Sequence, residues 1–135
     1  MFKKLIALLL LASPAFSQVN TYECPRGNRV SGTLTSDVTD TSTNTVISAP
    51  GGSTQRLYVV AGCVTNSHAS QGTVVTISCG SAAAAKQRLY AGPGGGWCVP
   101  PGGFIRCDAA TALTLTPTTS GASVQAWFGA CKDTN

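Results

Sequence analysis

Six cysteines carry the most definite chemistry in this sequence: Cys24, Cys63, Cys79, Cys98, Cys107 and Cys131. A cluster of this size can bind metal, run thiol–disulfide exchange or form structural bridges. Structural zinc sites draw their ligands from closely spaced pairs. Here the gaps are wide, no C-x-x-C or H-x-H occurs, and His68 is the only histidine. Redox exchange needs a thiolate of lowered pKa, typically in a C-x-x-C. Structural disulfides remain, and an even count fits them. Six cysteines allow about fifteen full pairings, and spacing alone selects none. No metal and no cofactor is expected.

Acid–base and nucleophilic chemistry has little material. The acids are Glu23, Asp37, Asp40, Asp108 and Asp133. A glycosidase needs two carboxylates facing one bond, and nothing in the spacing pairs Asp108 with Asp37 or Asp40. Ser67-His68-Ala69-Ser70 sets serines beside the histidine. A serine triad is built from separate elements, however, and G-x-S-x-G is absent. A small hydrolase or inhibitor would have to assemble its site from the Asn66–Gly72 loop and Asp108. The expectation is no enzyme, with His68 a solvated loop residue. Gly92-Pro93-Gly94-Gly95-Gly96 lacks the Lys-Ser/Thr and the helix of a phosphate loop, and reads as a mobile hairpin connection.

Aromatic residues offer a binding surface. Tyr58, Tyr90 and Trp127 fall on strand positions opposite the expected core, and Trp97 follows a glycine-rich loop. Exposed aromatics on a flat sheet can stack on sugar rings or anchor a protein. The competing use of the two tryptophans is to cap the ends of a small core. Gln55-Arg56-Leu57-Tyr58 recurs as Gln87-Arg88-Leu89-Tyr90. The echo would make a matched surface if both strands faced the same way.

The address is written in the first seventeen residues. Lys3 and Lys4 precede the apolar run Leu5–Ala12, and Ala15-Phe16-Ser17 leaves small residues where a signal peptidase reads. This is the pattern of a secretory signal peptide, too short to span a bilayer. Cleavage before Gln18 would leave 118 of the 135 residues as one domain, secreted or periplasmic and without an integral membrane segment. Loss of Lys3 and Lys4 lowers nine basic residues to seven against five acidic, a net charge of +2. So weak a charge gives no electrostatic basis for binding nucleic acid.

The elements that must position these residues read as strands. Few charges and much Thr, Ser, Gly and Ala suit a β-rich domain. Residues 18–48 form a polar segment holding edge strands, and 49–135 the body of the domain. Leu57, Val59, Ala61 and Cys63 alternate onto one face, with Arg56, Tyr58 and Val60 on the other. Val75, Ile77 and Cys79 share a face. Further strands are expected at Trp97–Val99, Phe104–Cys107, Ala112–Thr116 and Ser123–Cys131. Ala82–Lys86 could form one short helix, although its surroundings favour a loop entering a strand. Seven or eight short strands with turns between them predict a disulfide-stabilised antiparallel β-sandwich, jelly-roll or Ig-like. Leu57, Val59, Val75, Ile77, Leu113, Leu115, Val124 and Phe128 would fill the space between its sheets.

One ordered series of motifs covers about two-thirds of the chain: Asn44–Gly52, the strand Arg56–Ala61, Gly72–Ile77, Gly92–Gly96, Val99-Pro100, Asp108–Leu115 and Ser123–Phe128. In this order they loosely resemble small β-sandwich structural proteins of tailed-phage virions. The resemblance implies a sandwich fold and a role in surface decoration. With the leader and the cysteines it points to a phage-encoded or related exported protein. The expected function is structural or adhesive, with a protein or glycan of a cell envelope or virion as partner. A homo-oligomer is compatible with it.

Overall fold

The computed structural model describes Cys24 and residues 28–81, 86–100 and 105–134. The leader expected at 1–17 and the alanine run 82–85 lie outside the described residues. Nine strands run through the described chain: β1 (Arg29–Thr33), β2 (Asn44–Ile47), β3 (Gln55–Asn66), β4 (Thr73–Ser78), β5 (Lys86–Ala91), β6 (Gly96–Cys98), β7 (Ile105–Arg106), β8 (Leu113–Pro117) and β9 (Val124–Thr134). Among the described residues there is no helix.

The strands form two sheets, ordered β1-β9-β3-β6 and β2-β8-β4-β5, with β7 also against β3. Every pairing is antiparallel. Apart from the β4–β5 hairpin and the β6–β7 pair, each step along the chain crosses from one sheet to the other. Eight positions wound this way are a jelly roll, which decides between the two sandwich types the sequence allowed. β6 and β7 share one edge of β3 and together occupy a single position. Pro100-Pro101 falls between them, and proline cannot donate to a ladder. The glycine-rich Gly92–Gly96 is therefore no hairpin loop. It carries the chain from β5 in one sheet to β6 in the other. It is also tied down: Asn66 N donates to Gly95 O at 2.7 Å, and Gly94 N to His68 O at 3.0 Å.

The core lies between the sheets. Leu57, Val59, Val75, Ile77, Leu113, Leu115, Val124 and Phe128 are all fully buried. The polar-looking N-terminal segment joins them, since Leu34, Val38, Val46 and Ile47 are buried in the same cluster. β1 and β2 are the edges of the two sheets. They approach so closely that a Cβ on Gly32 would lie 1.7 Å from Val46 O.

β3 departs from simple alternation. Its register against β9 slips between Val59 and Ala61, which makes Val60 the extra residue of a bulge. A bulge shifts the facing of every later side chain by one. Leu57 and Val59 point inward as expected, but beyond the bulge Gly62, Val64 and Asn66 do so, and Ala61 and Cys63 face out. Gly62 takes φ +144°, and a Cβ there would meet the Phe128 ring at 2.2 Å. Glycine is required on both counts.

The disulfides are Cys24–Cys131, Cys63–Cys98 and Cys79–Cys107, and no cysteine is free. Such bridges fit an oxidising compartment, extracellular or periplasmic. No helix of the described residues is long and apolar enough to cross a membrane.

Candidate functional site

The two sheets present different outer faces. The face of β2-β8-β4-β5 is a hydroxyl lattice. Register aligns Thr45, Thr114, Ser78 and Lys86 in one row, and Thr116, Thr76 and Arg88 in the next. Many of these hydroxyls are already engaged. Thr43 and Thr116 share a hydrogen bond of 2.8 Å, Thr114 Oγ1 donates to Ser78 O at 2.9 Å, and Ser78 Oγ donates to Gly80 O at 3.2 Å. Tyr90 stands at the edge of this face, 65% exposed. Its ring lies against Gly72, where a Cβ would meet the Tyr90 hydroxyl at 2.2 Å.

The face of β1-β9-β3 is barer. One row holds Thr33, Trp127, Cys63 and Cys98. Trp127 is 49% exposed, and the Cys63–Cys98 bridge fixes the backbone beside it. The next row is Ser31, Gly129 and Ala61, three small residues that leave a shallow floor. Beyond it, Arg29, Cys131, Tyr58 and Arg106 form a third row. Tyr58 is buried there, 9% exposed, in the row that carries the Cys24–Cys131 bridge.

The four aromatics singled out from the sequence therefore do not make one surface. Trp127 is on the outer face as expected. Tyr58 has the expected facing but is covered. Tyr90 belongs to the opposite face, so the two Gln-Arg-Leu-Tyr segments look away from each other. Trp97 is a correction: it pairs with the fully buried Val64, so its side chain turns inward and packs half-buried against the core.

The loops at one end are organised by a residue the sequence reading missed. Asn66, 1% exposed, donates to Gln71 O, Ala91 O and Gly92 O at 2.7, 3.1 and 3.3 Å. Its Oδ1 accepts from His68 N at 3.1 Å and Ser123 N at 3.2 Å. One buried amide thus ties three loops together. Its only local signal is an asparagine ending a long strand. His68 serves the same loop, since its Nδ1 accepts backbone N–H bonds from Ser70 (3.2 Å) and Gln71 (2.9 Å). The lone pair a general base would offer is thereby occupied. Asp108 is at the other end of the sandwich, where it accepts from Ser81 N at 2.7 Å and donates its own N–H to Cys79 O at 2.9 Å. The six residues of β4 lie between them, about 20 Å of strand. His68 and Asp108, the two groups from which such a site would be built, are therefore not brought together. Among the described residues no group of three or more His, Cys, Asp or Glu could hold a metal.

Asp37 is the acid near that loop. It accepts from Ser123 Oγ and Gln125 Nε2, and from Ser67 Oγ at 3.5 Å. The Ser123 and Gln125 bonds, with a smaller part from Ser67, hold its pKa below the ordinary 3.8. A lowered carboxylate pKa adds stability that is complete above 3.8 and fades as pH falls through the folded-state value. Asp37→Ala is expected to lower the melting temperature slightly near neutral pH. The gap between variant and parent should close well below pH 3.8. A gap that persists unchanged in acid would show that the carboxylate charge is not involved.

No family model matches the chain, and no curated protein is significantly similar to it.

Proposed function

We propose that this is an exported, non-catalytic binding protein that attaches to a glycan of a cell envelope or virion surface through the outer face of β1-β9-β3. The observation that carries this reading is Trp127: a large aromatic, 49% exposed, on an outer sheet face beside the small residues Ser31, Gly129 and Ala61. A sugar ring can lay its apolar face on an indole, and a floor without bulky side chains lets the next ring follow. Indole burial on binding is a large energetic contribution, typical of a hot spot. On the opposite face Thr116 is bonded to Thr43, and the Thr114 and Ser78 hydroxyls to backbone carbonyls, which leaves that lattice less available. Decoration of a surface, the role implied by the likeness to phage virion proteins, would use the same contact.

The chain has two tryptophans, and Trp97 is turned into the core, so tryptophan emission reports on the proposed site. Titration with an oligosaccharide panel is expected to change the emission of the parent saturably. The change should vanish in Trp127→Ala while the melting curve stays close to that of the parent. Absence of any saturable change, with no retention on immobilised glycans, would defeat the proposal.

A further inference from the structure

We infer that the glycan is acidic, a chain of sugars bearing carboxylate or another anionic group, bracketed by Arg29 and Arg106. This rests on the reading of the Trp127 face as a glycan platform. The two arginines come from strands far apart in sequence, yet register sets them at opposite ends of one row: Arg29 opposite Cys131, Cys131 opposite Tyr58, Tyr58 opposite Arg106. Three strand spacings separate them, about 14 Å. Both are exposed, and neither has a hydrogen bond or ion pair among the described residues. Arg56, one row further, is different: its Nη1 donates to Cys107 O at 3.3 Å, and Asp133 sits opposite it in register. The structural arginine is held, and the two at the ends of the row next to the small-residue floor are exposed, their planar donor forks without a partner among the described residues.

Spacing along the strand sets the ligand size. Trp127 and Cys131 mark two rows about 13 Å apart, wider than one sugar ring. A ring stacked on Trp127 would carry the next across Gly129 and Ala61, where its anionic group comes within reach of the long arginine side chains. Guanidinium pairs with carboxylate in a two-pronged hydrogen bond that a neutral hydroxyl cannot match. An arginine pair with no acid partner among the described residues is the complement of that charge.

The test uses the purified full-length chain and two probes of similar length, an oligogalacturonate and a neutral cello-oligosaccharide, with polyglutamate as a polyanion without sugar. Oligogalacturonate is expected to bind more tightly than the neutral probe. Its affinity should fall in high salt and on the order of tenfold with each of Arg29→Gln and Arg106→Gln. It should also fall in Trp127→Ala. Circular dichroism and melting of the glutamine variants should match the parent, since both side chains are exposed. Equal binding of the neutral probe, sensitive to Trp127 but not to the arginines or salt, would overturn the acidic assignment and leave the glycan reading intact. Polyglutamate binding as tightly as oligogalacturonate, indifferent to Trp127, would overturn the inference in favour of simple polyanion attraction. No binding of either sugar would overturn both readings.

Discussion

Phe128→Ala is expected to destabilise the domain by about 3–5 kcal/mol, while Trp127→Ala, one residue earlier, should cost under about 1 kcal/mol. The two rings are adjacent in β9 and alike in chemistry, but successive side chains of a strand face opposite ways. Phe128 is fully buried between the sheets and is the largest such side chain among the described residues. Removing it deletes the contacts of a close-packed interior and leaves a cavity that Gly62 cannot fill, because that position carries no side chain. A domain of this size has a total stability of about 5–15 kcal/mol, so the loss would leave a large unfolded fraction or no fold at all. Trp127 is half in solvent and leaves no closed cavity. Denaturant unfolding of the two variants is the measurement. If Trp127→Ala unfolds the protein and Phe128→Ala does not, the faces of β9 are reversed and the proposed binding platform is really core.

Much of that facing can be read from period-two alternation. Eight apolar residues alternate within four short segments, and burial alone explains why they do. What alternation cannot show is the bulge at Val60. Nothing in Tyr58-Val59-Val60-Ala61-Gly62 marks an extra residue except Gly62, whose φ is a property of the folded chain. The slip turned Cys63 outward, which is how its bridge to Cys98 comes to pave the outer face rather than cross the core. Cysteine pairing was illegible for a related reason: strand register brings Cys63 opposite Cys98, and register is set by contacts distant in sequence. The same holds for the candidate site. Trp127 is visible as an outward aromatic. The row of Arg29, Cys131, Tyr58 and Arg106 is gathered from four strands with no local motif. Trp97 misled because a tryptophan after a glycine loop looks exposed until the partner of its strand is known.

The second large effect concerns the disulfides. Replacing both Cys79 and Cys107 with alanine is expected to cost about 2–5 kcal/mol, and more than replacing Cys63 and Cys98. Loop length does not make the difference. The sequence separations are 28 and 35, and chain entropy over that interval changes by only about 0.2 kcal/mol, slightly in favour of the Cys63–Cys98 bridge. Location decides. Cys79 follows β4 in one sheet. Cys107 follows β7 in the other, where its N–H donates to Leu57 O at 2.9 Å. Theirs is the one bridge of the three that joins the two sheets, and both residues are essentially unexposed. Losing its sulfurs also opens a cavity in the core cluster, a further cost on the order of 1 kcal/mol. The Cys63–Cys98 bridge links two neighbouring strands of one sheet at its outer surface, where Cys98 is exposed and solvent can take the place of the sulfurs. Access also sets the order of reduction, since exchange requires a thiolate to reach a sulfur. Mild reductant without denaturant, followed by alkylation and peptide mapping, should label Cys63 and Cys98 while Cys79 and Cys107 stay bonded. Labelling of Cys79 and Cys107 first, or equal destabilisation by the two alanine pairs, would contradict the placement of that bridge between the sheets.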